Sequence, residues 1–273
     1  MINITTGREA KQYGLLGGLN ESWAKKATRP AEWDVPIPAY LEKTYWWAYV
    51  RPSAIAFFDH EWIVNLILLG NMVKLRDKAL NALGPSIQGR TLQIASVYGD
   101  FSPRLAQRIA QGGLLDIIDV VPAQLQNLRR KLPPRAPVRL FQRDSTSLKF
   151  SDAEYDQVLM FFLLHEMPAQ VRERTLSEAL RVLKPGGTLV IVDFHKPSPF
   201  NLLRYLYPLM FKLLEPFALD IWRDDIEDWL PEGFVPASLT KETMSGGLYQ
   251  KIVIVKPGAN ARTRSHFSPT GPA

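Results

Sequence analysis

The chain has 273 residues and no cysteine, which excludes disulfides, thiolate metal sites and a cysteine nucleophile. Apolar residues make up 46% of it, so it can bury a substantial core as one large domain or one domain with additions. The net charge is +6, and basic residues crowd positions 129–149 around a single acid, Asp144. This surplus is most simply a solvated face; an anionic lipid surface is the second interpretation, and we expect no nucleic-acid partner.

The first forty residues are polar, and we predict a loose segment over 1–40 that ends in an extended, proline-containing stretch at 34–38. No signal peptide is expected, because no apolar segment precedes a cleavage site. The longest apolar run, 62–70, is too short to span a bilayer, which takes about 20 residues. These features predict a cytoplasmic protein that is soluble or peripherally bound to a membrane.

Residues 41–84 are rich in aromatic side chains and predict a helical cap, with Ser53 as the N-cap of one of its helices. The pattern is apolar almost all round. Such a helix either packs against the main domain or serves as a substrate lid or membrane-facing cap. Both alternatives remain open from the sequence, although the triplet Tyr45-Trp46-Trp47 suits a boundary between a dry and a wet environment.

Residues 88–256 alternate between strand and helix patterns, which predicts a parallel sheet covered by helices. The predicted strands are 92–97, 114–120, 138–142, 157–163 and 188–194, followed by an antiparallel hairpin formed by 234–243 and 248–255. The fold class is therefore α/β and Rossmann-like, with seven strands. An apolar helical insertion at 197–229 follows the fifth strand and should be kinked or broken at Pro208 and Pro216. Residues 257–273 predict a disordered tail.

The first strand leads into a turn at Gly99-Asp100, after which Ser102 is predicted to cap a helix that runs from Pro103 to Gln111. A strand, a glycine turn and a helix often begin a nucleotide-type pocket. Asp119 ends the next strand, twenty positions after Gly99, which is the spacing of a carboxylate that binds ribose hydroxyls.

This order of elements resembles the class I S-adenosylmethionine (SAM)-dependent methyltransferase fold. The resemblance implies that Asp119 holds the SAM ribose and that Asp144-Ser145, after the third strand, reads the adenine. The simpler alternative for both acids is helix N-capping. The stretch 161–168 resembles the pocket-lining motif after the fourth strand, and Leu183-Lys-Pro-Gly-Gly187 resembles the turn before the fifth. The cofactor-binding residues predicted in this way are Val97, Gly99, Asp100, Asp119, Val120, Asp144, Ser145 and Phe161.

The first motif departs from the family, in which an acid is followed by three alternating glycines. Gln93 stands at the acid position, Ala95 and Val97 replace two glycines, and only Gly99 remains. Because glycine lets backbone approach a ligand closely, we expect a reshaped pocket where the methionine part of SAM binds. The missing acid also removes a plausible anchor for the SAM amino group.

Three stretches narrow the resemblance to the bacterial rhodoquinone biosynthesis proteins: Tyr45-Trp-Trp-Ala-Tyr-Val-Arg-Pro52, Glu61-Trp-Ile-Val-Asn-Leu-Ile-Leu-Leu-Gly-Asn71 and Val97-Tyr-Gly-Asp-Phe101. That resemblance implies conversion of ubiquinone to rhodoquinone, in which an amino group replaces a ring methoxy group and SAM is the amine donor. It also implies divalent manganese (Mn²⁺), a lipid-soluble quinone partner and a peripheral position on the inner face of the cytoplasmic membrane.

Amine attack on a quinone ring needs a general base and a stabilised oxyanion. His165 and Glu166 follow the fourth strand and are the candidates for this work, together with Tyr98 in the altered turn. Glu166, Asp193 and His195 are the candidate manganese ligands, since manganese prefers oxygen and accepts imidazole. The simpler alternatives are that the His165-Glu166 pair only lines the pocket and that Tyr98 only packs.

Two other functions are compatible with the sequence. One is a conventional SAM-dependent methyltransferase acting on a quinone, phenol or lipid. The other is a non-catalytic scaffold that keeps the SAM fold. The acids at 119 and 144 argue against the scaffold, and the altered glycine motif argues against ordinary methyl transfer.

Overall fold

The computed structural model describes residues 35–259, and one compact unit begins at Pro36. The predicted loose segment 1–40 lies outside the described residues as far as position 34, and its positions 39 and 40 instead begin the helix Ala39–Thr44. The predicted disordered tail 257–273 lies outside them beyond position 259. A single seven-stranded sheet has the order β3-β2-β1-β4-β5-β7-β6. Its strands are β1 Arg90–Ile94, β2 Leu114–Asp119, β3 Val138–Gln142, β4 Tyr155–Phe161, β5 Leu183–Phe194, β6 Ser238–Met244 and β7 Tyr249–Val255.

The first five strands pair in parallel, and β7 pairs antiparallel with both β5 and β6. This is the predicted α/β, Rossmann-like fold, and the prediction is confirmed. The strand order reverses beside β1, which pairs with β2 on one side and β4 on the other. In open α/β sheets the crevice at such a reversal, outside the carboxyl ends of the strands, is where ligands bind.

The central strands are nearly continuous runs of buried apolar side chains, as expected when helices cover both faces of a parallel sheet. In β4, for example, Val158, Leu159 and Met160 are all fully buried. The helices of the sheet domain are α5 Phe101–Gln107, α6 Pro122–Lys131 and α7 Ala169–Val182.

The turn after β1 differs from the prediction at both of its ends. The strand stops at Ile94 rather than Val97, because Ala95 turns the chain with a positive φ of 69°. The helix that follows begins at Phe101, so the prediction that Ser102 is its N-cap is wrong. Ser102 lies inside the first turn of α5 and is fully buried. The predicted helix end at Gln111 is also wrong, since α5 stops at Gln107.

The predicted aromatic cap is helical and packs against the sheet domain. It consists of α1 Ala39–Thr44, a π-helical turn Trp46–Val50, α2 Pro52–Phe58, α3 Glu61–Ile67 and α4 Met72–Leu83. The α2 helix begins at Pro52, a residue suited to the first helical position, so the assignment of Ser53 as N-cap is wrong. The cap contacts α6 through α2, and α4 contacts β5 and β7.

The insertion after β5 contains α8, Leu203–Leu214, and two short 3₁₀ turns, Asp220–Trp222 and Ile226–Trp229. Pro208 lies inside α8 and does not break it, whereas α8 ends at Leu214, just before Pro216, in agreement with the predicted break at that proline. The predicted turn Leu183–Gly187 is instead the first part of β5, where the register opposite β4 shifts. Between residues 35 and 259, no helix is long and apolar enough to cross a membrane.

Candidate active site

Two adjoining cavities lie at the carboxyl ends of the strands, beside the reversal in strand order. The smaller has a volume of about 90 Å³ and the larger about 520 Å³. Five residues line both cavities and form the wall between them: Tyr49, Ser96, Tyr98, Phe162 and Glu166. Any two ligands in these cavities would meet at this wall.

Asp119 lies in the smaller cavity, at the end of β2, as predicted. Its Oδ2 accepts hydrogen bonds from the backbone N–H and the hydroxyl of Ser96, at 2.9 Å for the N–H. Its Oδ1 accepts the Val121 N–H at 2.9 Å. Burial raises the pKa of Asp119, although these hydrogen bonds act in the opposite direction. The carboxylate therefore also ties β2 to the turn after β1.

Asp144 and Ser145 line the same cavity from the loop after β3, and Val120 joins them. One oxygen of Asp144 accepts hydrogen bonds from the backbone N–H and hydroxyl of Thr146, at 2.8 and 2.7 Å. The Ser145 hydroxyl pairs with that of Thr175 at 2.8 Å. Neither acid is the N-cap of a helix, because α6 follows Val121 and the Asp144 loop leads to β4.

Gln93 replaces the family acid and is fully buried beneath the turn. Its amide donates to the carbonyl of Ala95 at 2.9 Å and to the hydroxyl of Ser102 at 2.8 Å. This position thus holds the turn against the start of α5. Ala95 keeps the left-handed backbone that a glycine would adopt there.

Gly99 and Asp100 were predicted to bind the cofactor, but protein groups engage both of them, and they line neither of the two cavities described. The Gly99 N–H donates to Asp59 at 3.0 Å, and its carbonyl accepts from Lys131 at 2.8 Å. Asp100 pairs with Arg76 at 2.8 Å. Val97 and Phe161 line the larger cavity. The altered turn is therefore clamped between the cap and α6.

Tyr98 lines both cavities, and its hydroxyl is already in use. It donates to the carbonyl of Ala48 at 2.7 Å and accepts from the Gln124 amide at 2.8 Å. Its ring stacks with Tyr49 and Phe58. Burial raises the pKa of Tyr98 far above the usual range, which disfavours proton transfer by this phenol. The contacts support a positioning role for its ring.

His165 is buried on the 3₁₀ turn Leu164–Glu166, and Asp193 holds it in place. The imidazole Nδ1 lies 2.8 Å from Asp193 Oδ1, which assigns Nδ1 as the protonated nitrogen. Its Nε2 lies 3.9 Å from Glu166. Burial alone would lower the pKa of His165, but the charge and hydrogen bond of Asp193 raise it to about 9. Burial raises the pKa of Glu166, against the opposing effect of His165.

The predicted manganese ligands do not come together, and this ligand set is wrong. Asp193 is fully buried, and its oxygens accept from His165 and from the backbone N–H groups of Leu164 and Phe194. His195 points its Nδ1 to the carbonyl of Gly247 at 2.7 Å. Across residues 35–259 no three His, Cys, Asp or Glu side chains are grouped so that they could hold a metal ion. The residues therefore do not fit manganese.

The sequence analysis missed Glu215, the residue after α8, whose side chain lines the larger cavity. Its Oε2 is buried and makes no hydrogen bond to the described residues, and the same holds for the hydroxyl of Tyr45. Burial raises the pKa of Glu215. The sequence did hold a signal, since Glu215 is the first acid after Asp193 and ends a long apolar run.

The rest of the larger cavity is apolar. Aromatic side chains of β4, β5 and α8 form one side of it, among them Phe161, Phe194 and Tyr207. Its ionisable groups are His165, Glu166 and Glu215, and Ser96 and several tyrosines also line it. Such a cavity suits an apolar ligand with one polar end.

Comparison with known proteins agrees with this geometry. A family model described as a methyltransferase domain matches residues 92–187. The demethylmenaquinone methyltransferase of Thermus thermophilus is 30% identical over 159 residues, which cover 58% of this chain and 70% of the relative. The ubiquinone/menaquinone biosynthesis C-methyltransferase UbiE of Ectopseudomonas mendocina is 30% identical over 189 residues, 68% of each chain. The chain belongs to this quinone C-methyltransferase family.

Coverage of the relatives is partial in other cases. The matched region spans 60% of the Clavibacter sepedonicus demethylmenaquinone methyltransferase, at 34% identity over 56% of this chain. Among solved structures, phosphoethanolamine N-methyltransferase 2 of Haemonchus contortus in complex with SAM aligns with a TM-score of 0.55 at 15% identity. That alignment covers 81% of this chain and 60% of the other. At this identity the structural likeness supports the shared fold alone.

Proposed function

We propose that this protein binds SAM in the smaller cavity and a long-tailed quinone in the larger one, and that it modifies the quinone ring. The observation that carries the proposal is the shared wall of Tyr49, Ser96, Tyr98, Phe162 and Glu166. A pocket that contains Asp119 and Asp144 and a mainly apolar cavity meet there, next to a buried histidine. The names of the quinone-modifying relatives support the same substrate class.

The donor set of the smaller cavity fits a nucleoside. Asp119 and Asp144 follow adjacent parallel strands, so their carboxylates line one pocket at the edge of the sheet. A volume of about 90 Å³ is below the 300 Å³ or so of a typical ligand pocket. Tyr40 and Leu41 of α1 narrow this cavity. We therefore expect α1 to shift when SAM binds.

Hydrogen exchange measures that shift directly. Addition of SAM should change the exchange rate of the amides in 39–44, while those of β6, at the far edge of the sheet, should stay as they are. Binding detected by calorimetry without any change at α1 would mean that the nucleoside enters by another route.

For the reaction itself we propose amination, in which an amino group replaces a ring methoxy group. A new bond forms between the donor nitrogen and the ring carbon, the bond from that carbon to the methoxy oxygen breaks, and methanol leaves with a proton from the amine. Freeing the nitrogen from its amino-acid carbon removes two electrons from that carbon. The quinone ring accepts them, and water completes the hydrolysis to a keto acid.

The ionisable residues that line the apolar cavity suit the proton transfers. His165 is oriented by Asp193, and Glu166 lies beside its Nε2, at the wall between the cavities. A base at this point can take a proton from an attacking amine, and a protonated imidazole can face a developing ring oxyanion. The altered turn at Ala95 and Val97, where the methionine part of SAM would bind, favours a donor orientation different from that in methyl transfer.

Methyl transfer to a quinone carbon is the second candidate, and the methyltransferase names of the relatives favour it. A scaffold without catalysis is third, because the acids at 119 and 144 and the buried histidine cluster would have no use in it.

The test is to incubate the protein with SAM and a short-tailed ubiquinone, with and without Mn²⁺, and to measure the mass of the quinone product. Loss of methoxy with gain of an amino group supports amination. Gain of a methyl group supports the second candidate. Binding of SAM with an unchanged quinone in both arms supports the scaffold.

A further inference from the structure

Two neighbouring segments expose large apolar side chains beside the larger cavity, and we call them together the apolar face. One segment is α3 with the residues that follow it, and the other is α8 with the loop before it. The members of the apolar face are Trp62, Leu66, Ile67, Leu69, Phe200, Leu202, Tyr205, Leu206, Leu209, Leu213 and Leu214. Exposed apolar groups this large and contiguous mark interaction sites.

The α8 helix is amphipathic, with an apolar stripe on its outer side. Leu206, Leu209 and Leu213 are 66%, 67% and 74% exposed, and their spacing of three and four residues places them on one face. Tyr207 and Phe211 are buried on the inner side. The outer leucines thus contribute nothing to the core, and their pattern is that of a helix lying against an apolar medium.

The apolar face continues into the larger cavity. Leu66, Ile67, Leu69 and Leu214 are exposed and also line that cavity. The cavity therefore reaches the surface between α3 and α8, and its mouth opens within the apolar face.

Basic residues outnumber acids around the apolar face, whose exposed acid is Glu61, the first residue of α3. The segments 62–76 and 196–214 contain five basic residues and no acid. Lys74, Lys196 and Lys212 are exposed, whereas Arg76 is buried in its pair with Asp100. Exposed lysines beside apolar helices match an anionic lipid surface, and Trp62 suits the boundary between headgroups and acyl chains.

We propose that the apolar face docks on an anionic lipid bilayer and that the mouth between α3 and α8 admits a lipid tail directly from the membrane. The docking stands on the exposed residues alone. The entry route rests on the proposed quinone substrate, because a cavity of about 520 Å³ takes a ring and the start of its tail, and the remainder must lie in an apolar medium.

Vesicle flotation tests the docking. Wild-type protein should float with vesicles of phosphatidylcholine containing phosphatidylglycerol, and less with phosphatidylcholine alone. The triple variant Leu206→Gln, Leu209→Gln, Leu213→Gln should bind the anionic vesicles at least about tenfold more weakly. Val235→Gln is the matched control, since Val235 is equally exposed but lies in the loop before β6, and its binding should match wild type. Circular dichroism checks that all variants fold.

Wild type that fails to float, or a triple variant that floats equally well, overturns the proposal. A second copy of this chain is the rival occupant. Sedimentation equilibrium would reveal it as a wild-type dimer that the triple variant converts to monomer without any loss of vesicle binding, and that result also overturns the proposal.

Turnover separates the docking from the proposed function. The triple variant should keep wild-type turnover of a soluble short-tailed quinone and lose at least about tenfold with a long-tailed quinone in vesicles. Equal loss with both substrates contradicts the entry route. Absence of wild-type turnover on every quinone contradicts the proposed function, and flotation would still decide the docking.

Discussion

The two cavities share one wall but come from different parts of the chain. The smaller is lined mainly by the ends of β1, β2 and β3, with Asp119 and Asp144 as its acids. The larger is lined mainly by the cap and the insertion, with Glu215 as an acid from outside the sheet domain. In the first, parallel strands fix the positions of the acids. In the second, added helices enclose a mainly apolar space, into which His165, Glu166 and Glu215 bring ionisable groups.

This difference in origin indicates which of the two cavities can change its shape more easily. Backbone hydrogen bonds between neighbouring strands hold the strand ends in place. Asp119 lies at such an end, and its hydrogen bond to Ser96 therefore also stabilises the turn after β1. The α4 helix of the cap packs into the main core, whereas the π-helical turn and α2 meet the turn after β1 through hydrogen bonds such as Asp59 to Gly99 and Tyr98 to Ala48. The proposed nucleoside site, which is built on strand ends, can therefore persist while the added helices adapt to another second substrate.

The largest expected effect is at the shared wall, on Glu166. Replacement Glu166→Gln should lower turnover about 10²- to 10⁴-fold, because it removes a candidate base. Burial raises the pKa of Glu166, so the wild-type rate should rise with pH as the carboxyl ionises, and the variant should lose that rise. SAM affinity, measured by calorimetry, should stay within a few-fold of wild type.

Glu215→Gln tests the acid contributed by the insertion and should lower turnover less than Glu166→Gln. The matched control is Glu178→Gln, because that carboxylate pairs with Arg181 outside both cavities. Full turnover in Glu166→Gln would contradict a catalytic role for the Glu166 carboxylate.

The next effect concerns the smaller cavity. Asp119→Ala should weaken SAM binding roughly 10- to 100-fold, given that a hydrogen bond to a charged group contributes about 1.5–3 kcal/mol. Isothermal titration calorimetry measures the affinity. The change also removes the bonds to Ser96 and Val121, so thermal unfolding must be followed alongside it.

Asp116→Asn provides the control for that variant. Asp116 is equally buried on β2 but pairs with Arg90 and Arg139 at the other end of the strand. The Asp116→Asn variant should be less stable than wild type, but the molecules that remain folded should bind SAM with wild-type affinity. If Asp119→Ala binds SAM as wild type does, its assignment to the ribose fails.

The fold, and the position of the acids at the edge of the sheet, could be predicted from the sequence because local patterns determine them. Apolar runs such as 158–160 mark buried strands, and an acid that ends a strand, such as Asp119, must lie at the edge of the sheet. The boundaries were less certain. The strand before Ala95 ends early because an alanine adopts a backbone that the sequence pattern associates with glycine.

The apolar cavity could be predicted only in outline, since long-range packing decides it. The pattern predicted apolar helices at 41–84 and 197–229 but not that Glu215 would turn inward between them. The manganese ligands were chosen from strand ends that do lie close together. That reasoning failed because Asp193 uses its oxygens to hold His165 and the adjacent backbone, which side-chain type alone does not reveal.

A smaller effect is expected on stability, through His165. Its pKa is raised from 6.5 to about 9, so its contribution is fully present below pH 6.5 and is lost as pH rises through about 9. Over that window the wild type should lose up to about 3 kcal/mol of unfolding free energy from this group. Urea unfolding at several pH values measures this loss of unfolding free energy.

His165→Asn should flatten the pH dependence of the unfolding free energy, whereas His195→Gln, outside this cluster, should preserve it. A slope that is the same in wild type and His165→Asn would contradict the buried ion pair with Asp193.

The smallest effect is expected at the turn after β1, whose sequence differs from the glycine motif of the family. Ala95 has a φ of 69°, a conformation that costs a residue with a side chain about 1–2 kcal/mol. Ala95→Gly should relieve this strain, and after the added freedom of the unfolded chain it should raise stability by about 0.5–1 kcal/mol. Ala153 has a φ of 53° in the loop before β4, so Ala153→Gly should give a similar gain in stability away from the site.

Only Ala95→Gly should alter SAM affinity, because only Ala95 lines the smaller cavity. Equal affinities in the two variants would mean that the turn keeps its shape without the alanine methyl group. The proposed change in donor orientation would then have to come from Val97 and the clamp on Gly99.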